Sequence, residues 1–197
     1  MNVIVTMTFM PEKWVLDRLY SLADTQLGYF STSQAEELGV DRRYLSHHVR
    51  SGNLERISRG VYRLLNYPSH PFEDVMATVL WVGDGAAASH DTALAIYGLA
   101  DAMPPVIHIT VPRRFRGSRP GVLIHRAPLP AGDITVRDGI PVTTPLRTIL
   151  DVVSDPSMAA AAAEEAIERG LLRVSQLRRV VEQRPDLAEI FDRTLSP

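Results

Sequence analysis

Between Pro11 and Leu64 the apolar positions follow a helical period three times and then change to alternation. In PEKWVLDRLYSLA, Trp14, Val15, Leu19 and Leu22 fall at helical spacing, and Pro11 sits where a first turn accepts proline. STSQAEELGV opens on a Ser or Thr able to cap a helix and closes on Gly39 after Leu38, which predicts a short helix stopped by a left-handed glycine. Asp41 then caps RRYLSHHVRSG, in which Tyr44, Leu45, His48 and Val49 share a face before Gly52 ends the run. LERISRGVYRLL alternates instead, with Leu54, Ile57, Val61 and Leu64 separated by polar residues and Arg59–Gly60 as the turn. Three helices followed by a hairpin is the order of a winged helix-turn-helix.

After LLNYPSHPFED, broken by Pro68 and Pro71, the pattern changes. PFEDVMATVLWVG and SHDTALAIYGLA predict two helices, with GDGAAAS between them as a turn. PVIHITVPRR and GVLIHRAPL each predict a strand, and DITVRDGIPVTT two more joined at Asp138–Gly139. Thr144 with Pro145, and Asp155 with Pro156, open two further helices, and RVSQLRRVVEQR and PDLAEIFDRTL add two terminal ones. The expected fold class is α+β: a winged helix-turn-helix over residues 1–68, then a mixed α/β domain over 69–197 with a small sheet and terminal helices. The alanine-rich helix MAAAAAEEAIERGLL is expected to pack internally.

Charge changes this picture locally. The 197-residue chain carries a net charge of −2, yet Val40–Leu64 holds six arginines and two histidines against only Asp41 and Glu55. In a winged helix-turn-helix the third helix enters the major groove and the wing follows the backbone, so positive charge belongs on those two elements. Arg42, Arg43, Ser46, His47 and Arg50 are expected to face outward from a core of Tyr44, Leu45 and Val49, with Arg56, Arg59 and Arg63 on the wing. Double-stranded DNA is the expected partner, and the arginine fork suits guanine and phosphate alike. His47 and His48 are adjacent, about 100° apart on a helix, and read as polar or phosphate-contacting groups rather than joint metal ligands. A winged helix used only to dock a protein stays the alternative.

Other chemistry finds less support. Ser89, His90 and Asp91 are triad residue types, but consecutive helical residues diverge, so Ser89 reads as an N-cap and no catalytic role is expected. His108 and His125 fall on separate strands as possible neighbours, without a carboxylate pattern to complete a metal site, so no metal is expected. VGDGAAASH lacks the lysine and hydroxyl of a phosphate-binding loop, and no cofactor follows. Arg113, Arg114, Arg116 and Arg119 form a second basic cluster, read first as a solvated loop; an extension of the DNA footprint or a contact with an acidic partner are its alternatives. With no cysteine there is no disulfide or thiolate chemistry, and no apolar run is long enough for a membrane span. The expectation is a soluble cytoplasmic protein whose MNVIVTMTFM start is a tail, or an upstream start with Met7 or Met10 as the real one, rather than a signal peptide.

SRGVYRL, SHDTALAIYGLAD, HITVP and GIPVTTPLRTILDVV together resemble the AbiEi family of antitoxins from type IV toxin–antitoxin systems, over nearly the whole chain. The resemblance implies a bacterial repressor that binds operator DNA through its basic helix and wing, here Arg42, Arg43, Arg50, Arg56, Arg59 and Arg63. It also implies that the second domain counters a nucleotidyltransferase-like toxin, either in a direct complex or indirectly. Related proteins fuse a similar front half to a nuclease, so a nuclease-less relative of those fused endonucleases is a further alternative.

Overall fold

The computed structural model describes residues 12–196, with side chains from residue 16 onward. MNVIVTMTFM, Pro11 and the side chains of Trp14 and Val15 lie outside that range, as does Pro197. The chain divides into two compact units between Ala77 and Thr78.

The first unit runs α1 (Glu12–Asp24), β1 (Tyr29–Ser31), α2 (Thr32–Glu37), α3 (Arg42–Arg50), β2 (Leu54–Ser58) and β3 (Val61–Leu64), with a sheet of order β1-β3-β2. Both pairings are antiparallel, and Phe30 of β1 faces Tyr62 of β3. β1 departs from expectation, since DTQLGYF carries no alternation; only pairing with β3 makes it a strand. Phe30 stacks on Tyr62 with ring centroids 5.7 Å apart.

Side chains start both helices of the turn motif. Ser31 Oγ accepts from the Gln34 amide while Gln34 reaches back to the Ser31 amide, a capping box. Asp41 Oδ1 accepts from the Tyr44 amide at 2.7 Å. Leu19, Ala23, Phe30, Ala35, Val40, Leu45, Leu54 and Leu64 then close one core. Each large member contributes about 2 kcal/mol by leaving water.

The second sheet has the order β6-β5-β4-β8-β7, from β4 (Ala87–Ala88), β5 (Ile107–Val111), β6 (Val122–Arg126), β7 (Ile134–Arg137) and β8 (Ile140–Thr143). β5 with β6 and β4 with β8 are parallel; β4 with β5 and β7 with β8 are antiparallel. β4 is a second departure, because GDGAAAS reads as a turn and two alanines carry no period. The helices are α4 (Glu73–Val82), α5 (His90–Tyr97), α6 (Pro145–Asp151), α7 (Pro156–Glu168), α8 (Val174–Gln183) and α9 (Ala188–Leu195). Ala159, Ala162, Ala163 and Ala166 of α7 are fully buried, so the alanine-rich helix packs internally as its composition predicts. The end of α5 is closed from α7: Arg169 donates to the carbonyls of Tyr97 and Gly98 at 2.9 and 2.8 Å, and Glu165 accepts from the Ala100 amide. Tyr97 donates its hydroxyl to the Thr143 carbonyl at 2.8 Å, and burial pushes its phenol up to about 12.

Gly28 has φ +83°, and an added Cβ would lie 2.4 Å from Tyr67 Cγ. Gly39 has φ +85° with nothing within 4 Å of that position. Gly28→Ala is therefore expected to lose about 2–4 kcal/mol of stability in urea melts, and Gly39→Ala only about 1 kcal/mol.

Candidate nucleic-acid interface

The face of α3 follows from its period. Leu45 and His48 are buried, Tyr44 and Val49 half-buried, and Arg42, Arg43, Ser46, His47 and Arg50 exposed. At about 100° per residue those five positions share one side of the helix. Arg42 reaches Glu36 Oε1 at 3.0 Å, yet its side chain is 80% exposed, so the pair is a weak surface contact. His48 corrects the reading of the histidine pair: it points inward, 8% exposed, with Nδ1 3.2 Å from Asn53 Nδ2. It is a strut between α3 and the start of the hairpin, not a phosphate contact.

The wing is β2, the Arg59–Gly60 turn and β3. Its register shifts between Arg56, opposite Tyr62, and Ser58, opposite Val61, which leaves Ile57 as an extra residue. Arg56 and Arg59 are exposed. The turn is tied down by the Thr32 amide, which donates to the Gly60 carbonyl at 2.9 Å, so the wing tip is fixed to the first residue of α2.

Arg63 does not join them. β3 is the middle strand, and the side chain at position 63 lies over Tyr29, its guanidinium 5.6 Å from the ring centre. It is 13% exposed, donates to the Tyr67 carbonyl at 2.9 Å and pairs with Glu73 at 3.2 Å. Alternation along the hairpin cannot reveal this, because a third strand had to be known before position 63 became central. Burial and the charges of Glu73 and Asp74 raise the phenol of Tyr29 even with Arg63 beside it.

The second basic cluster lies in the crossover from β5 to its parallel neighbour β6. Arg113, Arg114 and Arg116 are exposed. Arg119 instead stacks over Trp81 at 4.6 Å, and Phe115 meets the same indole edge-on at 4.9 Å. Trp81 thus pins the segment from two sides.

Histidines 108 and 125 do meet, with Nδ1 and Nε2 3.1 Å apart. His108 and Thr110 share a face of β5, and His125 of β6 pairs with Thr110, so the register puts all three on one side of the sheet. His90 joins them, its ring stacked on His125 at 3.7 Å. Sequence reading missed this because it assigned SHD to a helix start. Ser89 does stand at the N-cap of α5, but its hydroxyl makes no cap bond. Instead Ser89 Oγ lies 3.0 Å from His90 Nδ1 and accepts from Thr110 Oγ1 at 2.7 Å. The serine and histidine reach each other because Ser89 is extended and His90 adopts φ +50°, outside helical geometry. Ser89 is fully buried and bonded, so no substrate carbonyl could approach its oxygen. Burial first, then the neighbouring imidazoles, lowers both His90 and His125 to about 4. Both rings are neutral at pH 7.

The basic helix and wing on a three-helix, three-stranded head, followed by an α+β sheet unit, define a regulator of the winged helix-turn-helix type. The chain belongs to the AbiEi antitoxin family: residues 86–192 match the family's AbiEi antitoxin C-terminal domain, and residues 17–65 match the transcriptional regulator, AbiEi antitoxin. It is an antitoxin and transcription regulator of the type IV toxin–antitoxin class. No curated protein matches its sequence. The crystal structure of the RV2827C protein from Mycobacterium tuberculosis has a similar fold, with a TM-score of 0.52 at 15% identity, covering 93% of this chain and 78% of that one. No helix among the described residues is long and apolar enough to cross a membrane.

Arg63 and Arg59 separate structural from surface charge. Arg63→Ala strands the partly buried Glu73 and is expected to lower the urea-unfolding free energy by about 2 kcal/mol. Arg59→Ala is expected to stay within about 0.5 kcal/mol of the parent chain.

Proposed function

We propose that the protein represses its own operon by binding operator DNA through α3 and the wing, while its second unit counters a nucleotidyltransferase-like toxin. The observation that carries the DNA reading is the outward face of α3: Arg42, Arg43, Ser46, His47 and Arg50 are all exposed, with no acidic residue among them. The first turn of a recognition helix meets base edges, so Arg42, Arg43, Ser46 and His47 take base contacts. Arg50, Arg56 and Arg59 take phosphates, which fix register and give the complex its salt dependence. The exposed Arg113, Arg114 and Arg116 are available to lengthen the footprint or to meet an acidic surface. The repressor acts in the cytoplasm, where its operator lies, and needs no cofactor or catalytic step for either role.

The test is fluorescence anisotropy on the DNA upstream of the gene, against scrambled DNA, at two salt concentrations. Tight binding to the native fragment alone is expected, with Arg43→Ala weakening it about 10- to 100-fold and flattening the preference for that sequence. Arg59→Ala is expected to weaken native and scrambled DNA alike and to reduce the salt slope by about 1. If binding is absent or unaffected by salt, and the chain instead forms a stable complex with the neighbouring gene product, the winged helix is a protein-docking module and the DNA reading falls.

A further inference from the structure

We propose that His90, His108 and His125 form a binding site for a divalent transition metal of the zinc class. This site is independent of the DNA reading, since it lies wholly in the sheet unit. Three chain segments converge to make it: the start of α5, the first half of β5 and the end of β6. One nitrogen from each imidazole lies within 4.8 Å of the other two. Two nitrogens on a tetrahedral zinc ion are about 3.3 Å apart at bond lengths of about 2.0–2.1 Å. His108 Nδ1 and His125 Nε2 already stand 3.1 Å apart, so two of the three donors sit at bonding separation before any ion arrives. The third nitrogen, within 4.8 Å of both, needs its ring to turn inward to complete the set.

The surroundings resemble the support that metal-bound imidazoles carry. His90 bonds Ser89 Oγ through Nδ1, which leaves Nε2 to face an ion, and Thr110 holds that serine from beneath. Both supporting residues are fully buried, so their hydroxyls are fixed. Two carboxylates act on His125 through their charge, Asp151 of α6 and Asp91 of α5. One oxygen of Asp151 accepts from Arg147 Nε at 2.7 Å, while the other, Oδ2, is buried with no hydrogen-bond partner among the described residues.

The donor set also defines the ion. Neutral imidazoles favour zinc, copper, nickel or ferrous iron, whereas magnesium and calcium require oxygen donors. The chain has no cysteine, so a soft thiolate site is out of reach. The three rings are half-buried rather than sealed, leaving a fourth position open to water or an exchangeable ligand.

Full-length protein, stripped with chelator and titrated with cobalt(II), tests the site. The expected result is one equivalent per chain, with the visible bands of tetrahedral cobalt, displaced by zinc but not by magnesium. His108→Ala and His125→Gln should each weaken cobalt binding about 100-fold or more, and Ser89→Ala about 10-fold, with His70→Gln as the unaffected control. Should those variants unfold, the imidazole resonances of the parent chain give the answer. Zinc is then expected to shift three of the six histidines, His90, His108 and His125, and to leave His47, His48 and His70 in place. No saturable cobalt binding, binding that survives both histidine replacements, or zinc shifts at other histidines would overturn the proposal and leave the three rings as packing alone.

Discussion

Two alanines at the centre of the second sheet constrain everything built around them. Ala87 and Ala88 are fully buried, with Thr110 and Ile109 opposite them on β5 and Val142 beside Ala88 on β8. A larger side chain there would overpack the interior, at a cost of about 1–3 kcal/mol. The strand itself is only two residues long. The ladder is therefore continued by Ser89, whose amide donates to the His108 carbonyl at 3.0 Å, and the helix starts at the next residue. That abrupt change from strand to helix puts Ser89 against Thr110 and swings His90 over β5 and β6. Because β5 and β6 run parallel, their connection must cross the sheet, and Trp81 holds that crossover at Phe115 and Arg119.

In the winged-helix unit the deciding constraint is strand position rather than charge. Six arginines over Val40–Leu64 look equivalent in composition. Once β1 adds to the hairpin, β3 becomes central and its outward-reading arginine is enclosed by Tyr29, Tyr67 and Glu73. Arg56 on the edge strand and Arg59 in the turn stay in solvent. An enclosed guanidinium needs its acceptors, and Arg63 has three, the Tyr67 and Pro68 carbonyls and the Glu73 carboxylate; it fixes the end of the hairpin while the edge arginines stay exposed. On α3 the buried Leu45 and His48 lock the helix from below, and so aim the five polar residues above them.

What was legible in the sequence followed from periods long enough to read. The helical spacing of α1 and α3, the Ser31 and Asp41 caps, the Asp138–Gly139 turn and the alanine face of α7 all stand where local chemistry put them. β1 and β4 were not legible, since strands of three and two residues carry no alternation and exist only through their partners. The outward face of α3 was readable because a helix sets it by itself. The inward turn of Arg63 and the meeting of three histidines were not, because both depend on which strands lie side by side. His108 and His125 on adjoining strands were the available signal, and the third ring came from a motif that resembled a helix cap.

His90 is one of five described non-glycine residues with a left-handed backbone, and the one that stands at a helix start. A left-handed backbone at a non-glycine residue costs about 1–3 kcal/mol, and histidine is among the residues that adopt it more often than most. Nothing about starting α5 requires an imidazole: Ser89 is already extended at the N-cap, and Asp91 supplies the first-turn negative charge. What histidine adds is its ring, laid 3.7 Å from His125 and held through Nδ1 by a buried hydroxyl. Stacking neutral rings does not need that serine, nor an Asp151 oxygen buried without a donor. The left-handed backbone and the buried hydroxyl together hold the His90 ring against the other two imidazoles, and that convergence is what the proposed cation site rests on.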